Sequence, residues 1–134
     1  MAGELKFSGN KTLKKLYKEF NDIFPYLQIR LYDQEQYEKT LKGESVHGYP
    51  IDKTISEIRL KKNTDELEIH GKTLVKNLEA RILEIYGLRS QICYTPKNLP
   101  EGTARYYTSG STDDMTLSAL NRKGEEEGWR KGKN

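Results

Sequence analysis

Residues 66–74 read "ELEIHGKTL", and residues 4–9 read "ELKFSG". Glu, Leu and Gly stand in register in the two stretches, and Gly71 follows Gly9 by 62 residues. The same spacing returns further along. "DKTISEI" at 52–58 lies over "DMTLSAL" at 114–120, with Asp, Thr and Ser identical and with Ile55/Leu117 and Ile58/Leu120 alike. Between these anchors Leu16, Phe20, Ile23 and Phe24 fall over Leu78, Ile82, Ile85 and Tyr86. A fixed period is the mark of a repeated structural unit. The spacing therefore predicts a duplication, residues 1–62 and 63–124, with a short tail. One slip is expected: Lys11, Thr12 and Leu13 match Lys72, Thr73 and Leu74 at a spacing of 61.

Each unit translates into elements. Leu5 and Phe7, like Leu67 and Ile69, alternate as on a half-buried strand, and the glycine after each marks the turn out of it. Thr12 and Thr73 are expected N-caps, whose hydroxyls accept from backbone N–H groups at a helix start. Leu13, Leu16, Tyr17, Phe20 and Phe24 then form a stripe at helical spacing, echoed by Leu74, Leu78, Ile82, Ile85 and Tyr86. Pro25 and Gly87 occupy equivalent stop positions. "LQIRLY" and "LRSQICY" follow as strands, "TARYYTS" as a further strand candidate, and "QEQYEKTLKG" as either a helical turn or its strand counterpart. "DKTISEIRLKK" and "TDDMTLSALNRKGEEE" are expected helices with polar caps, Asp113 and Asp114 among them. Tandem β-α-β units predict an α+β, ferredoxin-like (split βαβ) antiparallel sheet with helices on one face, an arrangement open to extra strands and a C-terminal helix. The expected domain spans 1–128, and 129–134 is expected to be a flexible basic tail around Trp129, loosened by Gly124, Gly128 and Gly132.

A chain of 134 residues suits one domain, and an apolar fraction of 34% limits it to a small core. The net charge of +3 is too mild to demand a nucleic-acid partner. Cys93 stands alone, so no intramolecular disulfide forms, and a reducing compartment is expected. "MAGELKFSGN" lacks the basic and apolar regions of a signal peptide, and no segment has the run of about 18 apolar residues that a membrane span needs. A cytoplasmic protein is the expectation.

"GKT" at 71–73 invites a phosphate-loop reading. A Walker A loop needs G-x-x-x-x-G-K-[ST], and Glu66 stands where the first glycine belongs. The residues are expected to turn the chain and start a helix. Lys11, Lys14, Lys15 and Lys18 crowd the first turns of the first helix, where the macrodipole opposes them. Beside free N–H groups such a cluster could hold an anion or an acidic partner segment, and a plain solvated face is the simpler reading. Arg105, Tyr106, Tyr107 and Trp129 are candidates for an exposed aromatic and basic contact, with base stacking the bolder version. Catalysis finds no support. His47 and His70 lack metal-site spacing, Cys93 lies in an expected strand, and no cofactor motif is present, so catalytic, metal and cofactor residues are expected to be absent.

With its strand, glycine and Thr-led helix, strands such as "LQIRLYD" and "LRSQICY", and the element "DDMTLSAL", the chain resembles a family of small uncharacterised bacterial (Bacteroidetes-like) proteins with tandem units closed by a DD-x-T-L element. The resemblance covers most of residues 4–124 and implies no activity. The function expected is a non-enzymatic protein-interaction or regulatory module with a protein or acidic partner. The alternative is a nucleic-acid binder using the lysine-rich helix and the basic tail.

Overall fold

A computed structural model describes residues 5–7, 9–61, 67–98, the backbone of 106–107, and 112–131. The elements are β1 (Leu5–Phe7), α1 (Leu13–Ile23), β2 (Gln28–Tyr32), α2 (Gln34–Leu41), α3 (Ile55–Ile58), β3 (Leu67–Ile69), α4 (Val75–Tyr86), β4 (Arg89–Tyr94), β5 (Tyr106–Tyr107) and α5 (Leu117–Glu127). The class is α+β, and among the described residues no helix is long and apolar enough to cross a membrane. The extra strand and the C-terminal helix are present as β5 and α5.

The sheet differs from the split-βαβ expectation. That arrangement would place β2 and β4 on opposite edges of one sheet. Instead β1 pairs antiparallel with β3, and a separate antiparallel sheet runs β2-β4-β5. β2 and β4 pair along their length, from Gln28↔Cys93 to Tyr32↔Arg89. Burial supplies the physical reason. Most residues of β2 and β4 are buried, on both faces, as in a covered central pair. α1 packs on β1 and β2, α4 on β3 and β4, and α2 also lies against β2 and β4. There Thr40 Oγ1 accepts from Gln91 Nε2 at 2.9 Å, and the Arg89 guanidinium stands over the Tyr37 ring. Each main helix thus bridges both sheets, and the buried side chains form one core, with Phe20, Phe24, Leu27, Ile29, Leu78 and Ile82 among its fully buried members.

Backbone hydrogen bonds recur 62 residues apart, the interval that separates Gly9 from Gly71. Leu13 N donates to Lys53 O as Val75 N does to Met115 O; Lys14 N to Ile51 O as Lys76 N to Asp113 O; Ser56 N to Gly9 O as Ser118 N to Gly71 O. Two isolated bridges, Thr12↔Thr54 and Leu74↔Thr116, keep the same offset. Leu74, not Thr73, is therefore the N-cap of α4, and it offers no side-chain cap, whereas Thr12 accepts from Lys15 N. Thr73 instead takes the place of Lys11, its hydroxyl accepting from His70 N at 3.2 Å. The expected slip of one residue does not fall at the helix start. Asp113 and Asp114 are not caps either: Thr54 and Thr116 cap α3 and α5, accepting from Glu57 N and Ala119 N. At the first of the two glycine turns a Cβ on Gly9 would meet the Ser56 hydroxyl, which would have to rotate aside.

Trp129 corrects the expectation of a loose tail starting there. It is buried, stacks on Tyr94 with ring centroids 3.9 Å apart, and donates its backbone N–H to Gly124 O at 2.9 Å. Arg130 N then donates to Thr95 O at 2.8 Å, which carries the chain along the end of β4.

Candidate functional site

The four lysines of the first helix do not act together. Lys11 folds back, its ammonium 2.6 Å from Glu19 Oε1 and donating to Lys6 O at 2.8 Å. Lys18 pairs with Asp22 at 2.9 Å, and that hydrogen-bonded carboxylate holds its ammonium above the ordinary value. Lys14 and Lys15 remain exposed, and among the described residues no ion pair engages them. The helix end beneath them is closed. Leu13 N and Lys14 N donate to the carbonyls of Lys53 and Ile51, and Lys15 N to the Thr12 hydroxyl. The helix end therefore lends no free N–H groups to an anion, and any such contact would rest on the lysine side chains alone. What remains is a surface: Lys14 and Lys15 on the helix, with Ile51, 53% exposed, and Lys53 on the segment bonded to it.

The equivalent place in the second half is built differently. Lys76 pairs with Asp114 at 2.7 Å, its ammonium held above its ordinary value by that hydrogen bond and by the Asp113 charge as well. Asp113 accepts from Lys76 N through its carbonyl, which sets this residue beside the first turn of α4. One turn on, at i+3 from Lys76 and so on the same helical face, is Glu79. Its carboxylate accepts from the backbone N–H of Ile92 on β4. Among the described residues, Glu79 Oε2 and Asp113 Oδ1 are both buried atoms without a hydrogen-bond partner. Burial, and then the Asp113 charge, push the Glu79 carboxyl up from an ordinary 4.5 to about 7, against the lowering effect of the Ile92 bond.

Tyr17 occupies in α1 the position Glu79 occupies in α4. Its hydroxyl accepts from Leu31 N at 3.0 Å, so each main helix caps a strand amide, one with a phenol and one with a carboxyl. Sequence reasoning passed over Glu79, yet the signal was there. Val75, Leu78, Ile82 and Tyr86 are buried around it at helical spacing, and a carboxylate within such a stripe needs a partner.

The other candidates fall apart spatially or lie out of view. Arg105 is outside the described residues, and Tyr106 and Tyr107 are described only as the backbone of β5. Trp129 is enclosed and not available as an exposed contact. Cys93 is buried in β4. His70 is exposed beside a shallow cleft of about 420 Å³ that also touches Lys72 and Thr116, and a second cleft of about 430 Å³ runs between Phe24 and the Asn121–Glu125 face of α5. Among the described residues no three His, Cys, Asp or Glu side chains converge as a metal site would require. Comparison with known protein families, with curated proteins and with solved structures returns no match.

Proposed function

We propose that the chain is a tandem duplication serving as a non-enzymatic protein-interaction or regulatory module, and that its first half meets an acidic protein partner through Lys14, Lys15, Lys53 and Ile51. The observation that carries this reading is the pairing of two exposed lysines, which no ion pair engages among the described residues, with an exposed isoleucine over a helix end whose N–H groups are already bonded. Side-chain charge and one apolar anchor then recognise the partner, a combination suited to an acidic segment with an apolar residue and poorly suited to a small anion. The corresponding surface of the second half has neutralised its lysine with Asp114, so the two halves differ where binding is assigned. A cytoplasmic location goes with this reading.

The test is site-specific photocrosslinking in the native host from position 15, with position 76 as the control. A discrete product expected from position 15 should vanish in K14E/K15E at unchanged circular dichroism. Equal products from both positions, or a product that survives the charge reversal, would count against the assignment. Nucleic-acid binding by the same lysines is the second reading. It predicts low-salt binding of generic RNA or duplex DNA that weakens steeply with salt, and failure to bind either at low salt removes it.

A further inference from the structure

The two halves differ at two places, and the differences carry opposite charge. At the first, Ile51 stands where the second half has Asp113, and Lys15 and Lys53 stand where it has Asn77 and Met115, each 62 residues on. Lys76 is neutralised by Asp114, whereas among the described residues no ion pair joins the matching Lys14 and Asp52. This end of the molecule therefore gathers Lys14, Lys15 and Lys53 around the exposed Ile51. Asp52 and Glu57 temper it, the latter holding Lys53 loosely at 3.9 Å.

The second difference is the length of α5. α3 stops at Ile58 with Arg59 as its cap, but at the position matching Arg59, Asn121, α5 runs on to Glu127. Asn121 Oδ1 accepts from Tyr26 N at 3.0 Å, which sets the extension against the C-terminal end of α1. Between them lies the cleft of about 430 Å³, with Ile23 and Phe24 on one wall and Asn121, Arg122, Glu125 and Glu126 on the other. Phe24 is buried, so the partly buried Ile23 supplies the apolar contact. Glu127 is tied to Lys123, while Glu125 and Glu126 are exposed and, among the described residues, engaged by no ion pair.

We propose that the basic end of one molecule docks in this cleft of a second copy, Ile51 against Ile23 and the three lysines against Glu125 and Glu126. Self-docking rests on the reading of Lys14, Lys15, Lys53 and Ile51 as a docking surface, and it gives the acidic partner an identity, the chain itself. Charge complementarity selects this occupant. Three lysines outweigh Asp52 and Glu57 at one end, and two glutamates outweigh Arg122 at the other, so basic-to-basic and cleft-to-cleft pairings repel while the head-to-tail pairing attracts. A molecule cannot dock on itself, because Lys14 and Ile23 stand at opposite ends of α1, ~14 Å apart along its axis. The contact is heterologous, and its repetition gives a ring or an open chain. With one isoleucine at its centre it belongs among weak, salt-sensitive interfaces.

Sedimentation velocity of the full chain, from micromolar to millimolar protein at low and high salt, tests this. Association that grows with concentration and weakens with salt is expected. K14E/K15E and E125K/E126K, each with unchanged circular dichroism, should weaken it at least about tenfold. An equimolar mixture of the two should associate again, since one supplies an intact cleft and the other an intact basic end. I51S should weaken association without removing its salt dependence. E35K/E38K makes the same charge change on α2, where Lys39 and Gln34 engage the two glutamates, and should associate like the wild type. A wild-type chain that stays monomeric at low salt overturns self-docking, as does association that survives either reversal, a mixture that stays monomeric, or equal loss in E35K/E38K. The photocrosslink from position 15 separates this from the reading beneath it. A product of twice the chain mass, joined at α5, supports self-docking. A product with a different protein, from a chain that stays monomeric, overturns self-docking and leaves the docking surface standing, and no product from such a chain overturns both.

Discussion

A single hydrogen bond or methyl group decides several features of this fold. Gly124 lies inside α5, where glycine ordinarily costs helix stability, yet a Cβ there would sit 2.6 Å from the Trp129 ring and 2.8 Å from Tyr26 Cβ. Close packing of the tryptophan depends on the missing side chain. G124A is therefore expected to destabilise the protein by about 1–3 kcal/mol despite its better helix propensity, with Trp129 emission shifted toward that of a solvated indole. Urea denaturation checks the sign, and a stabilised G124A protein would contradict the packing account. Tyr17 sets a comparable test. Y17F keeps the ring beneath the Arg30 guanidinium, 4.6 Å from its centroid, but leaves the Leu31 amide without its acceptor. The expected cost is about 1–3 kcal/mol, with faster hydrogen exchange confined to that part of β2.

At the scale of elements, apolar periodicity was enough to locate the main helices, because α1 and α4 bury one stripe each. Their caps were less legible. "KTL" occurs before both helices, but strand-to-helix hydrogen bonds with residues 51–53 and 113–115 fix the true register, and no local pattern contains those long-range partners. The sheet arrangement was hidden for the same reason. β2 and β4 were recognisable as strands, whereas their pairing depends on burial of both faces, with α2 contributing to the cover. Of the candidate site, the lysines could be named from sequence, but their inequality could not, since Glu19 and Asp22 select Lys11 and Lys18 by geometry. The cap assignment predicts an asymmetry. T12A should cost about 1 kcal/mol by removing the acceptor of Lys15 N, while L74A removes no cap bond and acts only through packing. Chemical denaturation of T12A measures the first directly. Amide exchange at Lys15, accelerated in T12A, distinguishes a lost cap from a general loss of stability.

The whole molecule is held together by pairings between its halves. β1 pairs with β3 and β2 with β4, while among the described residues no ladder joins the two strands of one β-α-β unit. Each half alone would expose one strand of both pairings and the stripe of a main helix, too much apolar surface and too many open amides for independent stability. Fragments 1–62 and 63–134 are accordingly expected to be largely unfolded apart and to regain the native circular dichroism when mixed. The β1–β3 register adds a preference. Lys6 lies opposite Glu68, with side chains 4.0 Å apart, so two copies of the first fragment paired in this register would oppose lysine to lysine, and two of the second glutamate to glutamate. Like charges directly across a ladder are unfavourable, and both ends of this pair are exposed, so the effect selects partners without adding much stability. Mixed fragments should form a 1:1 heterodimer, its excess over either homodimer shrinking as salt screens the charges. Native mass spectrometry of the mixture would measure that ratio. A fragment that folds alone as a monomer would show that the cross-half ladders are dispensable.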